Sequence, residues 1–377
     1  MPVSASVAAQ MRQAALLEVN DLSVTFSTAD GPLRAVRDVS FSLEAGQTLG
    51  IVGESGSGKS VCAQSIVGLT PGASISGTAS FRGSDLLKMT TRRLRAIRGA
   101  DIAMIFQDPL SSLHPLYRVG WQITEMLLAH SDVSKRAARE RAIELLDLVG
   151  IRDAHRRIDD YPHQLSGGMR QRVMIAMAIS LNPKLLIADE PTTALDVTVQ
   201  ARILSLLKDL QREFGTAMIF ITHDLAVLSQ LADHIVVMYA GRVVEKATKD
   251  SLYRLPHHPY TRGLIRSLPS TGSGRGELAQ IAGSPASLLA PPSGCAFHPR
   301  CEWVMDACPT KVPPLIVVEP REAHRDQHRS GCLLPAKEVS LAESIDDQRR
   351  TYAAARRARS QRSARETKSA DRKACYE

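Results

Sequence analysis

Two patterns of apolar residues follow one another along the first two thirds of the chain. From Leu16 to Phe41 apolar and polar residues alternate, which is typical of strands with one buried face. A turn at Ser27–Pro32 separates two such strands, so this region predicts a small antiparallel sheet. Later apolar residues form short continuous runs, which are typical of strands buried on both faces of a parallel sheet. These runs are Thr48–Val52, Ile102–Phe106, Leu185–Ala188, Met218–Ile221 and Ile235–Met238.

Helical periodicity separates these runs, for example over Lys135–Val149 and Met169–Leu181. Between about residues 108 and 183 the pattern predicts helices and no strand. We therefore expect an α/β core with a helical lobe inserted into it, together spanning residues 16–268. Beyond this core the composition shifts to Pro, Gly and Ser, which predicts a small cysteine-bearing extension over residues 269–336.

The two ends of the chain differ from this core. Residues 1–15 are expected to form a flexible N-terminus, and the charged, Ala-rich residues 337–377 a basic, disordered tail. The net charge of +8 hints at an anionic partner such as nucleotide, nucleic acid or lipid. Most of the excess lies in residues 349–377, which carry ten Lys and Arg against three acids. No run approaches the roughly 20 apolar residues that span a bilayer, and the start of the chain lacks the apolar region of a secretory signal. We therefore expect the protein in the cytoplasm unless a partner holds it at a membrane.

A phosphate-binding loop follows the first buried run. The segment Gly53–Ser60 fits the pattern G-x-x-x-x-G-K-S, in which glycines let backbone N–H groups surround phosphate oxygens. The small residues of this loop are Gly53, Ser55, Gly56, Ser57 and Gly58. Lys59 is expected to reach the β- and γ-phosphates, the Ser60 hydroxyl to bind Mg²⁺, and the following helix to add its N-terminal dipole. A Gly/Ser turn that matches by chance is the alternative, which the strand before and the helix after disfavour.

Two acids end another buried run, Leu185–Ala188. Asp189 at the strand end can hold Mg²⁺, directly or through water, and Glu190 is placed to polarise an attacking water as a general base. An acidic strand end that only faces solvent is the alternative. The phosphate-binding loop argues against that alternative.

A short polar segment opens the helix that starts near Met169. Ser166 is a natural N-cap, and Gly167 and Gly168 leave backbone N–H groups accessible, which makes an anion site. An ordinary serine cap with a flexible glycine pair is the alternative for this segment taken alone.

Six cysteines are distributed unevenly. Cys62 is expected to be a small core residue and Cys375 a free surface thiol. The others cluster, with five, six and 23 residues between them: Cys295, Cys301, Cys308 and Cys332. In a cytosolic chain such a cluster indicates a metal site more than disulfides. A [4Fe–4S] cluster, zinc without its usual C-x₂₋₄-C spacing, and unligated buried thiols remain as three interpretations.

Taken in order, the motifs resemble those of the nucleotide-binding subunits of ABC transporters over about residues 16–265. The family's order continues with four further positions found here: Phe26, Gln107 in Ile105–Pro109, Asp196 in Thr193–Asp196 and His223 in Ile221–Asp224. One departure is Met169, where most of the family has Gln. The resemblance implies a P-loop NTPase core with an antiparallel β subdomain and an inserted helical subdomain, and it implies ATP and Mg²⁺ as cofactors.

The resemblance also implies a dimer and residue roles. Two subunits would pack head to tail with two ATPs between them, and each ATP would be capped by the other subunit's Ser166 and Gly168. Gln107 would sense Mg²⁺ and the attacking water, and His223 would contact the γ-phosphate. Asp196 would link the two sites, and Phe26 would stack on adenine. A core position for Phe26 and polar loop roles for Gln107 and His223 are the alternatives.

The C-terminal half narrows the resemblance. His257–Arg262, the cysteine spacing and Ile105–Pro115, in which His114 replaces the usual Asn, are similar to oligopeptide/dipeptide importer ATPases. This group also contains nickel and glutathione importers, and members with this cysteine pattern can hold a [4Fe–4S] cluster. His257 and His258 themselves are expected to be structural.

The implied partners are two transmembrane permease subunits, a second ATPase subunit (a paralogue or a second copy) and, indirectly, an extracytoplasmic solute-binding protein. The implied location is the cytoplasmic face of the inner membrane, as a peripheral protein. A non-transport ABC ATPase acting on nucleic acid, an exporter subunit and a small-molecule kinase are alternatives from other classes. The single cassette without a heptad insert disfavours the first, so no nucleic acid partner is expected.

Overall fold

The computed structural model describes residues 15–108, 112–192, 197–268, 281–318 and 328–335. They belong to two compact units. The first unit comprises the residues up to Val243 together with Pro285–Pro291, and the second comprises Val244–Ser284 together with the residues from Pro292 onward. The predictions for the N-terminus, for Asp196, for Cys375 and for the basic tail fall on residues outside the described ones.

The first unit combines two sheets with helices. Its strands are β1 (Leu17–Thr28), β2 (Gly31–Leu43), β3 (Thr48–Val52), β4 (Ala73–Phe81), β5 (Ser84–Asp85), β6 (Ile102–Ile105), β7 (Leu185–Asp189), β8 (Ala217–Thr222) and β9 (His234–Tyr239). Its helices are α1 (Lys59–Ile66), α2 (Thr91–Ile97), α3 (Val119–His130), α4 (Lys135–Leu148), α5 (Ala154–Arg157), α6 (Gly167–Ile179), α7 (Val197–Phe214) and α8 (Leu225–Leu231). Short 3₁₀ turns lie at Leu86–Lys88 and Pro162–Gln164.

The antiparallel sheet has the strand order β2-β1-β4-β5, which confirms the sheet expected from the alternating region. The strand β4 was not predicted, although its residues alternate, because Ala and Gly at three of its five apolar positions contrast little with the Ser and Thr between them. The pairing of β1 with β4 shifts register between Asn20 and Ser23. Gly77 lies opposite this irregularity with a φ of +98°, and a Cβ there would lie 2.6 Å from the Asn20 carbonyl oxygen. Only glycine fits this close approach without strain.

The second sheet contains the five continuous apolar runs in the order β9-β3-β8-β7-β6, and every neighbouring pair is parallel. All residues of β3, β7 and β8 are buried, which is the reason these strands read as uninterrupted apolar runs. The prediction of a helix-covered parallel sheet is confirmed. Because the strands run in one direction, their carboxyl ends lie at one edge of the sheet.

A helical lobe lies between β6 and β7, as the sequence predicts. The helices α3, α4 and α6 pack against one another, and the described residues between 112 and 183 contain no strand. Their shared core includes Ile123, Leu145, Leu146 and Val173, all fully or nearly fully buried. The Ser134 hydroxyl caps α4 by accepting a hydrogen bond from the Ala137 amide, so the start of this helix follows from local sequence chemistry.

The second unit has little regular structure among its described residues. Its elements are β10 (Arg242–Thr248, which begins in the first unit), α9 (Lys249–Arg254), α10 (Pro259–Arg266), a 3₁₀ turn at His298–Arg300, β11 (Ile316–Val317) and β12 (Arg329–Ser330). The strand β12 pairs antiparallel with β10 and with β11. Across the described parts of both units, no helix has the length and apolar character needed to cross a membrane.

A buried carboxylate organises the second unit. Glu245 on β10 is fully buried and accepts hydrogen bonds from the His257 and His258 amides at 2.7 and 2.9 Å. His328 Nε2 lies 2.7 Å from the same carboxylate, and His257 Nδ1 lies 3.0 Å from the Ser330 hydroxyl. Glu245 therefore ties the start of α10 to the segment that carries β12. The two neighbouring histidines have structural contacts, as the sequence analysis expected.

Candidate functional site

Four motifs meet at the carboxyl edge of the parallel sheet because each follows the end of a strand. The phosphate-binding loop follows β3, Gln107 follows β6, Asp189 and Glu190 stand at the end of β7, and His223 follows β8. Ligand sites of open α/β sheets are built at this edge.

The phosphate-binding loop has a backbone path that requires glycine at two positions. Gly58 has a φ of +94°, and a Cβ there would lie 2.2 Å from the Ala35 carbonyl oxygen. A Cβ on Gly53 would lie 2.2 Å from the Met238 carbonyl oxygen. Ser55 and Gly56 at the tip of the loop are exposed. The base of the loop therefore packs against backbone atoms, whereas its tip is accessible.

Lys59 is held inside this loop. Its Nζ donates hydrogen bonds to the carbonyl oxygens of Gly53 and Glu54 at 2.8 and 2.9 Å, and it lies 3.5 Å from the Ser57 hydroxyl. The side chain is almost completely buried. Burial lowers the pKa of Lys59, and the carboxylates of Glu190, Asp189 and Glu54 oppose that shift. A cation held so close to the loop is placed to meet phosphate oxygens.

Ser60 and Asp189 stand side by side. The Ser60 hydroxyl donates a hydrogen bond to Asp189 Oδ1 over 2.8 Å, although the two residues are 129 positions apart. Burial raises the pKa of Asp189, the hydrogen bond from Ser60 opposes the shift, and the nearby Glu190 reinforces it. A hydroxyl next to a buried carboxylate is a donor set that Mg²⁺ prefers, and a bound cation would offset the cost of burying that charge.

Glu190 has an unusual backbone. Its φ is +46°, in the left-handed region, and its amide donates to the Ile221 carbonyl oxygen at 3.0 Å. Its carboxylate Oε2 lies 3.3 Å from Gln107 Nε2 and 3.4 Å from His223 Nδ1. Non-glycine residues in this region are strained and concentrate at functional sites. The structure thus brings together Glu190, Gln107 and His223, three of the residues predicted to act on water and the γ-phosphate.

The serine–glycine segment caps α6 as expected. The Ser166 hydroxyl accepts a hydrogen bond from the Met169 amide at 3.3 Å, and both Ser166 and Gly167 are exposed.

Gln171 on the same helix was not predicted from the sequence. Its side chain is buried and donates to the Pro191 carbonyl oxygen at 2.6 Å, which connects this helix to the residue that follows Glu190. A buried glutamine on an otherwise apolar helix face is the signal that could have revealed it.

Phe26 lies on β1 opposite Leu33 of β2 and Ala73 of β4. It is partly buried against the core of the first unit. Its remaining surface is accessible, so both the adenine-stacking and the core interpretation stay predictions.

Cys62, by contrast, is completely buried in that core, and burial raises the pKa of its thiol to about 12, which confirms that it is a core residue.

A second cluster of chemistry lies within the second unit. All four clustered cysteines line one cavity. Gly294 allows two of them to approach, because its φ is +65° and a Cβ there would lie 2.2 Å from the Cys308 carbonyl oxygen. The Cys295 amide donates to that same oxygen at 2.8 Å. Residues far apart in sequence are therefore held around a common space by backbone contacts.

Each of these thiols also receives a backbone N–H group. The donors belong to Phe297 and His298 for Cys295, to Trp303 for Cys301, to Met305 for Cys308 and to Leu334 for Cys332. Burial nevertheless raises the pKa of Cys295, of Cys301 to about 11 and of Cys332 to about 12. The amides favour thiolates whereas the apolar lining disfavours them, so a positive centre would be needed to keep these sulfurs ionised.

The four sulfurs could bind different kinds of metal group, a single ion or a cluster. Among the described residues, no group of three or more His, Cys, Asp or Glu side chains is arranged to hold a metal ion. A single ion needs its ligand atoms within about 2.3 Å of one point. An iron–sulfur cluster is larger and is held by thiolates that stand further apart. The donor set of four thiols with amide donors around one cavity is of the kind that holds iron–sulfur clusters.

Comparison with known proteins gives a family match in each of the two units. A family model described as ABC transporter matches residues 36–193, and one described as oligopeptide/dipeptide transporter, C-terminal region, matches residues 244–308. The oligopeptide transport ATP-binding protein OppD of Bacillus subtilis (strain 168) is 51% identical over 312 residues, which are 82% of this chain and 87% of that protein. The dipeptide transport ATP-binding protein DppD of Haemophilus influenzae (strain ATCC 51907 / DSM 11121 / KW20 / Rd) is 48% identical over 86% of this chain and 97% of that protein.

A solved structure shares its fold with part of the chain. A dimeric ATP-binding cassette in a post-hydrolysis state, bound to ADP and Pi, is 28% identical with a TM-score of 0.57. The match covers 62% of this chain and 98% of that cassette. The matched residues therefore share the fold of that cassette.

Proposed function

The chain belongs to the ABC transporter ATP-binding proteins, and from this premise we propose that it hydrolyses ATP to energise the import of di- and oligopeptides. Membership carries the ATPase activity. The peptide cargo rests on the match of residues 244–308 and on relatives named for oligopeptide and dipeptide transport.

In the proposed reaction Glu190 is the general base. Its carboxylate takes a proton from the water that attacks the γ-phosphate, while Gln107 and His223, at 3.3 and 3.4 Å from the same oxygen, orient that water and the phosphate. The contact of both side chains with one carboxylate oxygen is the single observation that carries this assignment. The strained φ of Glu190 supports it, because the backbone holds the carboxylate toward the strand edge at a cost in stability.

The remaining residues of the site bind the triphosphate. Lys59 and the amides of the loop from Gly53 to Gly58 take the β- and γ-phosphates, and Phe26 offers its accessible face to adenine. Ser60 and Asp189 would hold Mg²⁺, with Gln107 close by. When bound, this ion neutralises negative charge on the phosphates.

The exposed Ser166 and Gly167 and the partly exposed Gly168 at the start of α6 support a head-to-tail dimer. Ser166 already satisfies the Met169 amide, so the anion site of this helix start lies at the glycine amides and the face they present. We assign this face to the ATP held by a second subunit, either a second copy or a paralogue, with Asp196 linking the two sites.

The permease subunits would dock on the helical lobe. Leu116, Tyr117 and Trp121 are exposed by 77%, 44% and 47%, and the rings of the two aromatic residues stack with centroids 4.1 Å apart. Aromatic side chains are enriched in the cores of protein interfaces, and this patch lies in the lobe that follows Gln107. Such docking would hold the protein peripherally at the cytoplasmic face of the inner membrane, below a solute-binding protein on the other side.

For the predicted extension, residues 269–336, we propose a structural [4Fe–4S] cluster on Cys295, Cys301, Cys308 and Cys332. The support is their common cavity and the amide donors on each sulfur. When bound, the cluster would ionise the four thiols and link loops that have little apolar core of their own.

The test is uptake by cells that lack the chromosomal copy of this gene. Wild-type protein should restore uptake of a radiolabelled tripeptide, and the Glu190→Gln variant should not, although it still binds ATP. The Trp121→Ala variant should hydrolyse ATP normally as a free subunit yet fail to restore uptake, because it no longer engages the permease.

Parallel assays with ⁶³Ni²⁺ and labelled glutathione decide the cargo. Restored uptake of either, without uptake of the tripeptide, would overturn the peptide assignment and leave the ATPase role standing. Restored tripeptide uptake by the Glu190→Gln variant would overturn the catalytic assignment.

A further inference from the structure

One buried polar atom in the second unit has no partner in its own surroundings. His258, the N-cap residue of α10, is 1% exposed and lines the same cavity as the four cysteines. Its Nε2 is buried without a hydrogen-bond partner. Buried polar atoms are nearly always paired, so an isolated one that borders a cavity points to a group that belongs in the cavity.

The hydrogen bond of the helix cap determines whether Nε2 is a donor or an acceptor. The Tyr260 amide donates a hydrogen bond to His258 Nδ1 at 3.1 Å, so Nδ1 acts as an acceptor and carries no proton. The proton of the neutral ring must then sit on Nε2, which makes Nε2 a donor and rules it out as a metal ligand in this state.

The four cysteine sulfurs are among the acceptors that border this cavity. The cavity is lined by the four thiols and by apolar side chains, and the one other histidine of its lining, His298, has its Nδ1 2.9 Å from the Cys295 carbonyl oxygen. A second group of α10 adds positive charge on the same side. Burial and then the charge of Arg266 lower the pKa of Arg262, and the charges of Glu245 and Cys332 oppose that shift.

We propose that His258 donates a hydrogen bond from Nε2 to a sulfur of the four-thiolate centre and thereby favours its reduced state. The proposal rests on the cluster suggested above. Adding one electron increases the negative charge on the sulfurs, and a hydrogen bond to a more negative acceptor is stronger, so the donor stabilises the reduced form more than the oxidised form. Arg262 acts in the same direction through its charge. His258 is a positioning residue of the centre and not one of its ligands.

The test compares full-length proteins purified anaerobically and reconstituted with ferrous iron and sulfide. His258→Ser keeps a side-chain acceptor for the Tyr260 amide, because serine is a good N-cap, but removes the donor from the cavity. The midpoint potential is read by electron paramagnetic resonance during one-electron reduction with dithionite. We expect the variant to hold as much iron as the wild type and to shift the reduction equilibrium about tenfold toward the oxidised form, which is about 59 mV for one electron.

Two further variants serve as controls. His155→Ser changes an exposed histidine of the first unit and should leave the potential unchanged. His258→Asn keeps the cap and returns an N–H donor on a shorter side chain, so its potential should lie between those of the wild type and the serine variant. ATP binding should be the same in all of them.

An unchanged potential in His258→Ser would overturn the inference and leave the cluster itself intact. Loss of iron from both His258 variants with ATP binding retained would overturn it too, because the bulk of the ring would then hold the cavity. Wild-type protein that takes up zinc or no metal would overturn both the cluster and the inference. None of these results touches the peptide-import proposal, which the uptake assay tests.

Discussion

The nucleotide site and the four-cysteine cavity position their reactive groups in different ways. In the first unit, Lys59 begins the helix after β3 and Asp189 ends β7, so buried parallel strands set where these charges stand. In the second unit, the thiols lie on loops whose described residues form a 3₁₀ turn and two-residue strands. Strands with a large apolar core can place a charge without help, whereas short loops cannot.

The two regions also differ in how far neighbouring charges offset the effect of burial. Lys59 lies near Asp189 and Glu190, so the nucleotide site partly balances its own buried charges. In the cavity, burial is the largest influence on Cys301 and Cys332 and raises the pKa of both thiols well above neutrality. The charges of the first site thus partly offset one another within one chain, whereas the thiols of the second need a bound positive centre to become ionised.

The largest expected effect sharpens this comparison, because in the proposed dimer a second subunit completes the nucleotide site. Ser166→Arg places a bulky cation where the proposed dimer brings the second subunit's ATP. We expect ATP-driven dimerisation and hydrolysis to be abolished while the affinity of the isolated subunit for ATP stays near normal. Sedimentation in a Glu190→Gln background, with and without the change, measures the dimer.

A matched Ser166→Ala variant separates the interface from the helix cap. It should cost about 1 kcal/mol of stability through the lost cap and still dimerise. Equal ATP-dependent dimer in the arginine variant and its parent would exclude the proposed interface.

Catalysis at the nucleotide site should depend on one carboxylate. Glu190→Gln keeps the shape and the contacts of the side chain but removes its basicity, so we expect turnover to fall by about 10²-fold or more with ATP binding retained. Steady-state phosphate release and equilibrium nucleotide binding check the two halves of this prediction. Hydrolysis near the wild-type rate would remove Glu190 from the role of base.

The dependence of the second unit on a bound centre can be tested through one thiol. Cys301→Ser should lower the iron content of anaerobically purified protein from about four per chain to near zero and make the residues after Leu268 more sensitive to protease. Cys62→Ser, in the core of the first unit, is the matched control and should leave the iron unchanged. Full iron in the Cys301 variant would remove that residue from the ligand set.

The smallest effect concerns the carboxylate that organises the second unit. Burial on its own raises the pKa of Glu245, but the hydrogen bond and charge of His328 and the His257 amide outweigh it and lower that pKa below its ordinary value of 4.5. Stability from this group is therefore fully present above about pH 4.5 and is lost as the pH falls through the native pKa.

Glu245→Gln should reduce the free energy of unfolding of the second unit by about 1–3 kcal/mol near neutral pH, because buried partners lose a charged acceptor. It should also flatten the acid dependence, which thermal melts from pH 7 to pH 3 would record. An identical acid profile in the variant and the wild type would show that Glu245 does not supply it.

The sequence by itself determined much of the first unit. Continuous apolar runs can only be satisfied by burial on both faces, so the parallel sheet followed from them, and the contiguous loop Gly53–Ser60 and acids Asp189–Glu190 placed the chemistry at strand ends. The helical lobe followed from its periodicity and caps. The strand β4 was missed although its residues alternate, because Ala and Gly at several of the apolar positions weaken their contrast with Ser and Thr.

Only the tertiary structure decided the contacts between residues that are far apart in the chain. Gln107 meets Glu190 across 83 positions, and the left-handed backbone that aims this carboxylate leaves no mark in the sequence. The cavity shared by Cys295 and Cys332, and the orientation of His258 toward it, depend likewise on how loops without periodicity fold back. Local patterns record which side chains must be buried, but the direction in which a buried polar atom points is set by neighbours that the fold alone brings together.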